Sequence, residues 1–127
     1  MQVGLTERLP QLIGIQSEAI QPVVSRYQGH ALAGEPRQTL AASIAVQKPR
    51  NYLRLHAELA ASQGMMLAVT DSEMQTAQEL LAREAGVVAE LTSAATLAGL
   101  LRAGAASNLA GKTAVLVITG GRIDGDS

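Results

Sequence analysis

Near the end of the chain the apolar run Ala114-Val115-Leu116-Val117-Ile118 gives way to Thr119-Gly120-Gly121-Arg122-Ile123-Asp124. If the run is a buried strand, Thr119 stands at its carboxyl end, where open α/β sheets bind ligands. Its hydroxyl can donate to or accept from a ring nitrogen or a phosphate, and the two glycines permit close approach or a positive φ. The plainer reading is a strand that ends in a Gly-Gly turn. Glu90-Leu91-Thr92-Ser93-Ala94-Ala95 is the second candidate. It opens a predicted helix, where free amides and a carboxylate can line a site. An ordinary cap is the plainer reading there.

The remaining chemistry-bearing residues assemble into nothing. His30 and His56 have no Cys, Asp or Glu partner at ligand spacing and read as surface residues. The two lysines are Lys48, before Pro49, and Lys112, after Gly111. A Schiff-base lysine needs a desolvated pocket, and neither context resembles one. There is no cysteine, so thiol catalysis and disulfides are excluded. No Ser-His-Asp set, zinc spacing, Gly-x-x-x-x-Gly-Lys loop or paired dinucleotide glycines can be found.

Three apolar runs read as strands that would position the candidates: Leu12 to Gln16, Met65 to Val69, and Thr113 to Ile118. Continuous hydrophobicity, rather than alternation, suits parallel strands covered on both faces. The clearest helix starts at Thr70, where Thr-x-x-Glu with Glu73 forms a capping box, and Met74, Ala77 and Leu81 share one face until Gly86. Other helices are expected over 93–103 with Thr92 as cap, over 51–62 before Gly64, over 20–26, and over 39–46 ahead of Pro49. Gly29 to Gln38 reads as a loop. The expected architecture is α/β and three-layered, a small parallel sheet of three strands flanked by helices with right-handed crossovers. Its outer strands would need an edge covered by a second copy or another polypeptide.

Size and charge narrow the function classes. The chain has 127 residues, enough for one α/β domain over 1–127, and its 10 basic and 11 acidic side chains leave a net charge of −1. That balance gives no electrostatic footprint for nucleic acid. No uninterrupted apolar stretch is long enough to span a membrane, and no leader pattern is evident, so a cytoplasmic protein is expected. The only aromatics are Tyr27 and Tyr52, so the core must be aliphatic and rich in alanine.

Six segments, in order, resemble the C-terminal part of threonine synthase, among the pyridoxal-phosphate enzymes of the tryptophan synthase β-subunit fold. Arg8-Leu9-Pro10 through Ile13-Gly14-Ile15-Gln16-Ser17-Glu18 is similar to R-x-P-x-x-x-G-V-Q-x-E. Thr39-Leu40-Ala41 with Ser43-Ile44-Ala45 resembles T-I-A-x-x-I. Ala68-Val69-Thr70-Asp71-Ser72-Glu73 and Leu81-Ala82-Arg83-Glu84-Ala85-Gly86 resemble V-[ST]-D-x-E-I and L-A-x-x-E-G. Glu90 with Ser93-Ala94-Ala95-Thr96-Leu97-Ala98-Gly99-Leu100 resembles E-P-[SA]-S-A-A-x-L-A-G-L, and Thr119-Gly120-Gly121 resembles the start of T-G-x-G-L-K-D.

The resemblance implies that Thr119 hydrogen-bonds the pyridine nitrogen of pyridoxal phosphate, that Gly120 and Gly121 shape the turn beside the ring, and that Glu90 and Ser93 lie on the cofactor side. A neutral hydroxyl at that nitrogen would leave it largely unprotonated and temper the electron sink. The implied reaction is that of a lyase in amino-acid biosynthesis, converting O-phosphohomoserine and water to threonine and phosphate. Leu91 departs from the family's proline, and Gly-Gly-Arg-Ile-Asp lacks the lysine of G-L-K-D and is similar to the S-G-G-N-I-D ending of serine and threonine dehydratases. The family's Schiff-base lysine, phosphate-binding loop and small domain have no counterpart here. The expectation is therefore a partial domain that binds no cofactor and is inactive alone, working as a homo-oligomer or with a complementary N-terminal polypeptide. A dehydratase-like segment and a non-catalytic docking module are the alternatives.

Overall fold

The computed structural model describes residues 8–27, 38–44, 50–106 and 108–121. Strand β1 (Ile13–Ser17) is followed by helix α1 (Pro22–Tyr27), a single 3-10 turn over Ala42–Ile44, helix α2 (Tyr52–Ala61), strand β2 (Met65–Val69), and helices α3 (Asp71–Ala85) and α4 (Leu91–Ala106). The two strands pair in parallel, Ile13 opposite Met65 through Ser17 opposite Val69.

Side-chain alternation along the strands sorts the helices into two layers. Met66 joins a cluster with Val23 and Val24 of α1 and Tyr52 and Leu59 of α2. Gln16, on the same face, accepts from the Val23 and Val24 amides at 3.0 Å each, so the strand caps α1. Val69 faces the other way, into a cluster with Met74, Ala77 and Leu81 of α3 and Leu91, Ala94, Ala95 and Ala98 of α4. This is the expected three-layer α/β/α arrangement with an aliphatic, alanine-rich core.

Helix α3 follows its local signals. Thr70 accepts from the Glu73 amide at 3.1 Å, and Gly86 ends the helix at φ 66. The reciprocal half of the capping box does not form, because the Glu73 carboxylate pairs with Arg102 of α4, whose guanidinium also donates to the Ala68 carbonyl. The pair ties the start of α3 and the end of β2 to the last turns of α4.

Several expectations need correction. Thr113 to Ile118 forms no ladder with β1 or β2, so the sheet of the described residues has two strands, not three. Leu116 and Ile118 are half-buried and Ile118 packs on the α3/α4 cluster, but Val115 and Val117 are 86% and 64% exposed. Alternate residues of the run are half-buried, while among the described residues no neighbouring strand meets its backbone. The helix expected over 39–46 is a 3-10 turn through Ile44, with 45–49 outside the described residues; Asp71 accepts from the Leu40 amide at 2.7 Å and from the Thr39 hydroxyl, fixing its entry. Helix α2 ends before Gly64 as expected, and the left-handed residue that closes it is Gln63 at φ 55. Among the described residues no helix is long and apolar enough to cross a membrane.

Candidate functional site

Helix α4 begins at Leu91, two residues before its expected start, because the Glu90 carbonyl already accepts from the Ala94 amide at 3.1 Å. Thr92 therefore lies in the first turn and is not the cap. Leu91 is the first helical residue, the position at which proline is best tolerated, and it is buried. Leucine there leaves the helix start in place.

The start of α4 also holds the end of the chain's last described segment. The Glu90 amide donates to the Gly120 carbonyl at 3.1 Å, and Ala89 and Gly121 form an antiparallel bridge. From α3, Gln78 donates to the Ala89 carbonyl at 2.9 Å. Two chain segments some thirty residues apart are thus clamped side by side by backbone bonds, and side chains complete the arrangement.

Ser93 is its centre. It is 2% exposed, and its Oγ accepts from the Gly120 amide at 3.0 Å, meets the Thr119 Oγ1 at 3.3 Å and donates to Glu90 Oε1 at 3.4 Å. The two hydroxyl contacts lie beyond the ~2.5–3.0 Å of ordinary O–H···O bonds, so the Gly120 amide bond is the strongest of the three. Neither Gly120 nor Gly121 has a positive φ. Gly120 is required for closeness instead, since a Cβ there would run into the Glu90 carboxylate. Thr119 is exposed, with its hydroxyl held from behind by Ser93.

The structure thus brings together all five candidates, Thr119, Gly120, Gly121, Glu90 and Ser93. It leaves the others apart: His56 is exposed on α2 against the Tyr52 ring, and Lys112 is exposed, while His30 and Lys48 lie outside the described residues. No group of three or more His, Asp or Glu among the described residues could hold a metal. A shallow groove between α3 and α4, lined by Ser72, Glu73, Thr76, Ala98, Leu101 and Arg102, starts about 7.5 Å along α4 from Ser93, and its two charges neutralise each other. The central position of Ser93 carries no signal in the sequence beyond its place in the E-P-[SA]-S-A-A resemblance. The Gly120–Glu90 packing carries none.

Residues 2–120 match the family described as pyridoxal-phosphate dependent enzyme. The chain belongs to that family. It is 37% identical over 121 residues to the threonine synthase of Mycobacterium leprae, covering 92% of this chain and 31% of that protein. It is 36% identical over 119 residues to the threonine synthase of Synechocystis sp., covering 94% and 30%, and 34% identical over 100 residues to that of Methanocaldococcus jannaschii, covering 76% and 25%. Among solved structures, a T.th. threonine deaminase superposes with a TM-score of 0.67 at 26% identity, over 87% of this chain and 39% of that one. The chain therefore has the α/β fold of pyridoxal-phosphate enzymes and spans a quarter to a third of the length of the curated relatives it matches.

The residues present fit the edge of the family's cofactor ring. An aromatic ring with a single nitrogen needs a wall that comes close and one polar atom at its edge. The bare Gly120 backbone, with Glu90 filling the space behind it, is such a wall, and the exposed Thr119 hydroxyl is such an atom.

Proposed function

We propose that Thr119, Gly120, Gly121, Glu90 and Ser93 form the part of a threonine synthase-like enzyme that faces the pyridine ring of pyridoxal phosphate. When bound, that cofactor supplies the electron sink for exchanging the phosphate of O-phosphohomoserine for a hydroxyl from water, giving threonine and phosphate. The residues of this chain bind and orient: Thr119 holds the ring nitrogen, Gly120 lets the backbone approach, and Ser93 keeps both in place. The supporting observation is the convergence of two distant segments on the Ser93 hydroxyl.

Covalent anchoring of the cofactor needs a lysine in a desolvated pocket facing the ring, and neither Lys48, before Pro49, nor the exposed Lys112, after Gly111, has the sequence context of one. Residues 1–127 are then a partial α/β domain, inactive by itself and completed by a complementary polypeptide. Mixing the purified chain with the N-terminal two-thirds of Mycobacterium leprae threonine synthase tests this. Threonine and phosphate should form from O-phosphohomoserine in the mixture and with neither partner alone, and Thr119→Val should lower cofactor retention.

The likeness to a threonine deaminase favours a second reading, a dehydratase segment. Release of a 2-oxo acid by the mixture, with no threonine formed, would select it. A folded chain that neither completes the partner nor retains cofactor would instead be a non-catalytic docking module.

A further inference from the structure

We propose that Gln78 of α3 is a positioning residue of the candidate site: it fixes the orientation of the Ala89–Glu90 peptide group, and that group holds Gly120 and, through it, Thr119. The inference rests on the reading of these residues as the part of the site that faces the ring of pyridoxal phosphate.

A peptide group is a rigid plate, with its carbonyl pointing one way and its amide hydrogen the other. The plate between Ala89 and Glu90 is held at both ends. Its amide donates to the Gly120 carbonyl at 3.1 Å, and its carbonyl accepts from the Gln78 side chain at 2.9 Å. Neither bond can run the other way, since a backbone carbonyl only accepts and a backbone amide only donates, so the Gln78 nitrogen must be the end that faces Ala89. With the Glu90 amide on Gly120, Ala89 and Gly121 stand opposite as a pair that exchanges no hydrogen bonds, which turns the Ala89 carbonyl out of their bridge. Ala89 is 0% exposed, so solvent does not reach that carbonyl in place of Gln78.

The anchor is itself fixed. Ala77 and Leu81, on either side of Gln78 in α3, are buried in the core, and after Gly86 ends the helix only residues 87–89 lead to the plate. The Glu90 carbonyl, on the next plate, starts α4 by accepting from the Ala94 amide. A tilt of the Ala89–Glu90 plate would therefore shift the Gly120 carbonyl bonded to it, with Thr119 one residue away, while α3 and α4 keep their places.

Hydrogen exchange of the 15N-labelled chain, read by NMR, tests the plate without cofactor. Gln78→Met keeps the bulk and loses the donor, and should speed exchange of the Glu90 amide roughly tenfold. The Met74 amide, bonded to the Thr70 carbonyl at the other end of α3, should keep its rate. An unchanged Glu90 amide, or equal acceleration of both, overturns the proposal.

In the enzyme completed by the N-terminal polypeptide, cofactor retention should fall about tenfold in Gln78→Met. Gln78→Glu adds a readout that packing alone would not move, because an ionised carboxylate cannot donate to the Ala89 carbonyl and a protonated carboxyl can. Facing a carbonyl away from water raises the pKa of that carboxyl above the ordinary ~4.3, so its retention, relative to wild type at each pH, should be low near about pH 8 and recover toward about pH 5. A ratio that stays flat with pH overturns the proposal. Retention unchanged in Gln78→Met but lowered in Thr119→Val also overturns it, while leaving the reading of the site intact. Retention unchanged in both takes the site away from the ring, and that reading fails with it.

Discussion

Gly99 of α4 lies directly against Ile15 of β1, so that a Cβ on Gly99 would overlap the Ile15 Cδ1 and stand 2.7 Å from its Cγ1. The helix that begins at the candidate site is seated on the sheet with no side chain between them at this point. Gly99→Ala should gain about 1 kcal/mol of helix propensity and lose about 1–3 kcal/mol to overpacking, for a net destabilisation of about 1 kcal/mol. Trimming the partner should recover part of that loss: Ile15→Val is expected to cost less in the Gly99→Ala background than alone. Urea midpoints of the four proteins form the double-mutant cycle that checks it, and additive effects would separate the two residues.

The Glu73–Arg102 pair couples α3 to α4 across a partly solvated groove. Its side chains are 33% and 39% exposed, so screening by water should hold the coupling energy to about 1 kcal/mol or less. A cycle of Glu73→Gln and Arg102→Met should show that coupling in dilute buffer and lose most of it in 1 M salt, where the screening length is about 3 Å. Thr70→Ala acts on the same helix start by another route, leaving the Glu73 amide uncapped. It should cost about 1 kcal/mol whatever the salt, with Thr70→Ser close to wild type.

Local signals of this kind are the legible part of the fold. Strand β2 falls on Met65–Val69 as expected, and α3 starts and stops where Thr70 and Gly86 place it, because caps and short apolar runs act over one or two turns. What depends on a distant partner is not legible. Whether Thr113–Ile118 is a strand depends on a neighbouring backbone, and the described residues supply none. Glu73 reads as a capping residue in the sequence because the competing Arg102 is 29 positions away. The start of α4 precedes its expected place because Glu90 begins it through a backbone carbonyl, which any residue possesses. For the site, residue types and the family resemblance name all five members, and only the fold shows that Ser93 joins them.

Val115 and Val117 are exposed while Leu116 and Ile118 are half-buried, Ile118 against the α3/α4 cluster, which separates folding from assembly on one short segment. Val115→Lys with Val117→Lys should change the stability of the chain by no more than about 0.5 kcal/mol, the range of ordinary surface substitutions. The same pair should abolish completion of the enzyme by the N-terminal polypeptide if those side chains meet it. A binding titration followed by size-exclusion chromatography distinguishes the two effects, and full complementation by the double lysine variant would place the partner elsewhere.

Gly120 and Gly121 differ in a way that adjacent alanine substitutions can expose. A Cβ on Gly121 would meet only the Val88 carbonyl at an ordinary 3.5 Å, whereas one on Gly120 would occupy the position of the Glu90 carboxylate. Neither backbone is left-handed, so strain does not confuse the comparison. In Gly120→Ala the flexible, half-buried Glu90 side chain can swing aside, and stability should fall by about 1 kcal/mol or less. That swing parts Glu90 from Ser93, whose hydroxyl touches Thr119 and holds the Gly120 amide. Cofactor retention by the complemented enzyme should then drop roughly tenfold, about 1.4 kcal/mol, while Gly121→Ala retains it. Equal retention by the two variants, measured by equilibrium dialysis beside their urea midpoints, would show that the Glu90–Gly120 contact serves packing alone.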